Sequence, residues 1–387
     1  MHQIGFRQAC AFVLVLASFC SAHLLSAQSA SGTQSWSATS RQGSPDGDLN
    51  PTRTNENHSQ SDGRVLDKTS IENMGPDGRY IPYSDTEKES VRINETTVRN
   101  IERTYGRDSD GHRTLIQERQ EETRNLPGGE QTVTRTVANP DSNGGMQVVQ
   151  REVEDSKQIS PGVRVTNSTL MTPDAEGKFS ASMRSEQRET RSSDGTIQST
   201  KSTLLNDGVS GWKLSEVRDS TSKPQGTDSR SKEVQVLRPD SEGKLAVVER
   251  TVSKESAGNS GDRRATVETY STNVPGVAGN NGLQLVQRET TVQRTASAGA
   301  RSTTREIEQT RPGSSSGDMQ VTQEAIDIIR PNASGTVDET RTILTPNSDG
   351  RLGQVWVDTG TNGNPAAIQV DTKSAPQKSE SQKPAPK

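Results

Sequence analysis

The sequence predicts an all-β fold of tandem β-hairpins, about nine units of roughly 34 residues, laid out as an extended, largely single-layer antiparallel sheet or solenoid-like array with disordered termini. Three observations predict it. Glycines beside turn residues return at Gly78, Gly111, Gly145, Gly177, Gly211, Gly243, Gly282, Gly317 and Gly350. A second series, Gly128, Gly162, Gly195, Gly226, Gly261, Gly299 and Gly335, falls about midway between them. The segments between turns, such as Thr132-Val133-Thr134-Arg135-Thr136-Val137, are rich in β-branched residues and lack the i, i+3, i+4 apolar stripe of a helix.

The amino terminus comes first. Arg7 precedes an apolar run from Ala9 to Ala22, and small residues at Ala22 and Ala27 offer cleavage sites, so residues 1–27 read as a secretory signal peptide. Cys10 and Cys20 both lie in that segment, which leaves a mature chain without thiols. A cysteine-free exported repeat protein leans bacterial, and the expected location is periplasmic, cell-surface or extracellular. Residues 28–64 are a Ser/Thr-rich leader with little apolar content, and they are expected to be disordered.

The repeat region is expected to span residues 65–358. Four of its turns share one pattern: Pro76-Asp77-Gly78-Arg79-Tyr80, Pro173-Asp174-Ala175-Glu176-Gly177-Lys178-Phe179, Pro239-Asp240-Ser241-Glu242-Gly243-Lys244-Leu245 and Pro346-Asn347-Ser348-Asp349-Gly350-Arg351-Leu352. Proline cannot continue a ladder, Asp folds back on its own backbone, and Gly accepts positive φ where the chain reverses. That is hairpin chemistry. Apolar residues gather beside these turns and charges gather toward the opposite strand ends, which predicts a narrow apolar seam instead of a thick core. Hydrophobic residues are only 27% of the chain and aromatics 3%, with a mean hydropathy of −0.87, in keeping with that. Residues 359–387 form a Lys/Pro-rich tail, again expected to be disordered.

Charge and residue inventory exclude several functions. With 46 Lys+Arg against 50 Asp+Glu the net charge is −4, and the signs interleave along the sequence, as in Gln287-Arg288-Glu289. No basic face for phosphates is evident, aromatic platforms are scarce, and no nucleic-acid partner is expected. Of four histidines only His112 lies in the repeat region, so no catalytic residues are expected and the chain is read as a non-enzyme. Four Phe, four Tyr and three Trp are too few for the two aromatic girdles of a membrane barrel, and no transmembrane segment is expected after signal cleavage.

Calcium is the one cofactor the pattern leaves open. Asp108-Ser109-Asp110-Gly111 and Asn347-Ser348-Asp349-Gly350 resemble the oxygen-rich start of a calcium loop, but neither has the closing bidentate acid, so Asp108, Asp110, Asn347 and Asp349 are weak candidates beside a plain turn role. The functional expectation is a non-catalytic exported repeat protein that forms an envelope or extracellular scaffold or adhesion surface. The alternative is a calcium- or glycan-binding module with sites at the Pro/Asp/Gly turns. The expected partner is a protein or envelope polymer, and self-association is open.

Overall fold

The computed structural model describes residues 32–362 apart from 44–48, 62, 76, 175, 227, 259–260, 274–281, 297–298, 312–317, 333–336 and 348, and gives only the backbone for residues 32–51 and 356–362. Twenty strands follow one another. They are β1 Gly32–Gly43, β2 Leu49–Ser61, β3 Arg64–Met74, β4 Tyr80–Arg92 and β5 Thr97–Arg107. Next come β6 Arg113–Asn125, β7 Gln131–Pro140, β8 Met146–Ser160, β9 Val163–Pro173 and β10 Phe179–Arg191. Then follow β11 Ile197–Asn206, β12 Trp212–Pro224, β13 Ser229–Pro239, β14 Leu245–Ala257 and β15 Arg263–Ser271. The series ends with β16 Gln284–Thr295, β17 Arg301–Thr310, β18 Met319–Pro331, β19 Val337–Pro346 and β20 Leu352–Asn362. Among the described residues the one other element is a single 3-10 turn, Pro127–Gly129.

Each strand pairs antiparallel with the next, and β20 returns to β1 through Ser37↔Thr361 to Gln42↔Trp356. The sheet is therefore a closed barrel. This corrects the expected open array, whose edges would have remained free: pairing β1 with β20 removes both. The reason is cumulative. Carried outside the bulges through all twenty pairings, a position on β1 returns to β1 20 residues further along, so the stagger equals the strand number. That ratio fixes a strand tilt of about 36° and a backbone diameter of roughly 35 Å.

Bulges supply the local bend. Every even-numbered strand from β4 to β20 skips one residue near its Pro/Asp/Gly end: Tyr83, Ile116, Val149, Ser182, Ser215, Val248, Val286, Thr322 and Val355. A bulge raises the local twist and bends its strand, and nine of them at one height curl the sheet on itself.

Several expectations shift with the register. Strands begin at Gly32, not at residue 65, so most of the presumed leader forms β1 and β2, and His58 sits in β2 opposite Asp67. Strands likewise continue to Asn362, beyond the expected end at 358. In the β7–β8 turn the positive-φ residue is Gly144, not Gly145. Gly78, Gly111, Gly177, Gly211, Gly243, Gly282 and Gly350 do take positive φ. The signal segment, most of the tail, Gly317 and Gly335 lie outside the described residues. The apolar interior is thin: of the described apolar side chains only Val133, Ala138, Val236 and Val337 are buried. Ladder hydrogen bonds and cross-strand pairs hold the wall.

Candidate functional site

The closed wall has two faces, and strand alternation sorts every side chain to one of them. Register partners share a face, and the assignment carried from β1 round to β20 meets itself without conflict at Ala38↔Gly360. The handedness of the barrel decides which face is inside. With the right-handed strand tilt that L-residues impose and a stagger running forward along β1, residues of odd-numbered strands whose N–H and C=O point to the following strand face the bore. The turn bonds identify them: Asp108 donates its N–H to the His112 carbonyl at 3.0 Å, and Asp174 to Lys178 and Asp240 to Lys244 repeat it. Arg135, Val133 and Val236 accordingly line the bore. A hollow of about 440 Å³ agrees, since Glu189, Ser199, Ser220, Lys232 and Ser253, from the five successive strands β10 to β14, all line it from that side.

The outer face of β3 to β6 is charged along its height. Across β3 to β6, Glu89 binds Arg64 (2.8 Å) and Arg103 (3.3 Å), and Arg103 also reaches Glu118 (2.8 Å). Glu122 holds Arg99 at 2.8 Å and Arg124 at 2.6 Å. Asp85 takes Arg107 (2.6 Å) and Arg113 (3.0 Å). Burial alone would raise the Glu87 carboxyl, but hydrogen bonding to Arg113 and the charge of Lys68 hold it below its ordinary value. Each such Arg or Lys would cost about 2–4 kcal/mol in the middle of a bilayer. This stretch of the outer wall is built to face water.

Near the Pro/Asp/Gly turns the outer face changes character. Tyr80, Tyr105, Phe179, Trp212 and Tyr270 stand there on five different strands, and each ring carries a guanidinium: Arg53, Arg113, Arg151, Arg184 and Arg250 at 4.5, 3.4, 5.0, 4.4 and 6.0 Å from the centroids. Met146, Leu214, Leu245 and Leu352 continue this rim and are exposed. The apolar residues that the sequence gathers beside the turns thus form an outer collar at one end of the barrel.

The bore is polar. Arg135 on β7 gathers Glu121 (2.7 Å), Glu154 (3.0 Å) and Glu152 (3.6 Å). Burial works against its charge, yet hydrogen bonds to Glu121 and Glu154 outweigh that and hold the guanidinium above its ordinary value. Arg305 with Glu289 (2.6 Å) and Arg341 with Asp327 (2.6 Å) add further pairs on the same face. The hydroxyls of Ser199, Ser220, Ser222 and Ser253 line the hollow between β11 and β14.

The weak metal candidates are turn residues. Asp108 Oδ1 accepts the N–H groups of Asp110 (3.0 Å) and His112 (2.8 Å), and Asn347 Oδ1 accepts those of Asp349 (3.0 Å) and Arg351 (2.9 Å). Asp174 and Asp240 make the same two bonds in their own turns. The side-chain oxygen is thus committed to closing the turn. Asp108, Asp110 and His112 have ligand atoms within 4.8 Å of one another, all exposed, and the histidine stands where a hard cation wants oxygen.

The chain is similar in structure to a mutant porin of Rh. blastica (9% identity, 86% of this chain and 99% of that one, TM-score 0.37). It is also similar to a mutant ferric enterobactin receptor of Pseudomonas aeruginosa (8%, 87% and 73%, 0.46) and to a BenF-like porin of Pseudomonas fluorescens Pf-5 (9%, 85% and 97%, 0.35). No protein-family model matches the sequence, and no curated protein does. The scaffold or adhesion expectation, with its calcium- or glycan-binding alternative, is overturned. It rested on the extended surface of an open repeat array, which the β1–β20 pairing replaces with a closed wall.

Proposed function

We propose that this chain is an exported β-barrel of the aqueous envelope space whose wide, polar bore admits hydrophilic solutes, without catalysis. The observation that carries the reading is the closed ring with a stagger of 20, since a wall of that size leaves a bore roughly 20–25 Å across once side chains are placed. Barrels of similar strand number hold aqueous channels, whereas eight-stranded ones fill with side chains. Among the described residues every strand belongs to the wall and none crosses the bore. Export follows from the signal-peptide pattern of residues 1–27. Among the described residues no helix is long and apolar enough to cross a membrane.

The test is access. A small fluorophore on Ser220→Cys, in the bore, is compared with one on Thr221→Cys, on the outer face. Iodide should quench both, whereas a quencher on a polymer wider than the bore should quench only the outer one. Protection of Ser220→Cys from iodide would sink the reading.

The aromatic collar favours a second reading, a barrel seated by that rim at a lipid interface, where amphipathic rings settle. Flotation with lipid vesicles that is lost in Trp212→Ser/Tyr270→Ser would support it; protein that stays below the vesicles would remove it.

A further inference from the structure

Charges that interleave along the sequence separate once the strands alternate. On β11, β12 and β13 the bore-facing cations are Lys201, Lys213, Arg218, Arg230, Lys232 and Arg238, and Glu216 is the one bore-facing acid. The acids of these strands, Asp219 and Glu233, point outward. Glu216 holds Arg218 (3.0 Å) and Arg238 (3.1 Å), and the turn residue Asp207 holds Lys213 (2.8 Å). Lys201 faces Arg218 across the ladder, a like-charge pair. Among the described residues, Lys201, Arg230 and Lys232 have no ion pair.

We infer that this stripe and the hollow beside it form a binding site for a small hydroxylated anion, a polyol bearing carboxylate or phosphate. The inference rests on the open-bore reading. Arg230 and Lys232 stand two residues apart on one face and project into the same hollow of about 440 Å³, room for a ligand of sugar size. Ser199, Ser220, Ser222 and Ser253 supply hydroxyls that match a polyol, while the two cations match its anionic group. Like charges gathered on one wall repel each other, and an anion between them relieves that repulsion. Glu255, opposite Arg230 on β14, and Glu189, opposite Ser199 on β10, also line the hollow and set its polarity: the anionic group sits toward Lys232 and the free side of Arg230, and the hydroxyls of the ligand reach the acids.

The experiment is calorimetric titration of the mature protein with gluconate, inorganic phosphate and neutral sorbitol, repeated on Arg230→Gln/Lys232→Gln and, as a fold-neutral control, on Lys254→Gln, which faces outward. Gluconate should bind at millimolar concentration or tighter, lose about tenfold or more in the double variant, keep its affinity in Lys254→Gln, and weaken with salt. Phosphate binding equal to gluconate would assign the site to the anion alone and overturn the polyol part. Equal affinity in wild type and double variant, or equal binding of sorbitol, would overturn the inference. Iodide access at Ser220→Cys separates the causes of a null result: no gluconate binding in an accessible bore refutes the site and leaves the bore reading standing, whereas a protected bore refutes both. Matching melting curves for the three proteins exclude misfolding.

Discussion

Arg113 lays its guanidinium 3.4 Å from the centre of the Tyr105 ring while donating to Asp85 (3.0 Å) and Glu87 (2.8 Å), so one side chain joins the aromatic collar to the ionic lattice of the outer wall. The Tyr105 hydroxyl in turn donates to Glu87 at 3.3 Å. Lysine has neither the planar face nor the fork for this arrangement. Arg113→Lys should lower stability by about 1 kcal/mol, and Tyr105→Leu should make the loss of Arg113 smaller, a coupling that denaturant melts of the four proteins in a double-mutant cycle would measure. Additive effects would mean that the stack contributes nothing.

Closure itself is open to a direct test. Ser40 and Asp358 are register partners across the β1–β20 seam. Residues 28–387 contain no cysteine, so Ser40→Cys/Asp358→Cys in a chain starting there should oxidise to an intramolecular disulfide that speeds migration on a non-reducing gel. A mispaired control, Ser40→Cys/Asp338→Cys, should stay reduced. Cross-linking only between molecules would mean an open sheet.

Two glycines should respond differently to a methyl group. A Cβ on Gly243 would meet nothing within 4 Å, so Gly243→Ala carries only the strain of φ +80°, about 1 kcal/mol. At Gly162 the same atom would lie 2.6 Å from the Arg191 carbonyl oxygen, with φ +76°. Gly162→Ala should therefore cost about 1–2 kcal/mol more, with raised hydrogen exchange confined to β8, β9 and β10. Equal melting temperatures for the two variants would contradict this.

Arg135 is the counterion of three carboxylates in the bore. Arg135→Met removes it and leaves Glu121, Glu152 and Glu154 facing one another. The side chain is 37% exposed, so water screens much of the repulsion and the expected loss is about 1–2 kcal/mol. Adding Glu152→Gln should recover part of it; no recovery would mean that packing, not charge, was lost.

Acid should loosen the wall. Hydrogen bonds to Arg99 and Arg124 hold Glu122 below its ordinary value, and those to Arg250 and Gln235 do the same for Glu233. A carboxylate depressed in the folded state stabilises above its unfolded value, near 4.5 for Glu, and that stability is lost as pH falls through the lower folded value. Melting temperature should thus be flat between about pH 5 and 8 and fall below about pH 4. Glu122→Gln/Glu233→Gln should be less stable at neutral pH and flatten the acid limb.

The strands and turns were legible in the sequence because their causes are local. Pro239, Asp240 and Gly243 each act within a few residues, and the β-branched runs between turns declare extended backbone by themselves. The strands of β1 and β2 were not legible, since Ser, Thr, Asn and Gln in 32–61 read as a solvated leader until they have a neighbour on each side to complete their hydrogen bonds. The cationic stripe was hidden for a related reason. In Ser229-Arg230-Ser231-Lys232-Glu233 the acid offsets one of the two bases along the chain, but alternation sends Glu233 outward and leaves Arg230 and Lys232 in the bore.

What the sequence by itself determined, then, is an antiparallel β chain reversed at recurring Pro/Asp/Gly turns. Only the tertiary structure decided that the sheet closes, which face is inner, and which charges meet there. Those properties depend on the register summed over twenty pairings, and no single hairpin carries that sum: the stagger contributed by one pairing is about one residue, and it brings β20 beside β1 only after every other strand has added its own.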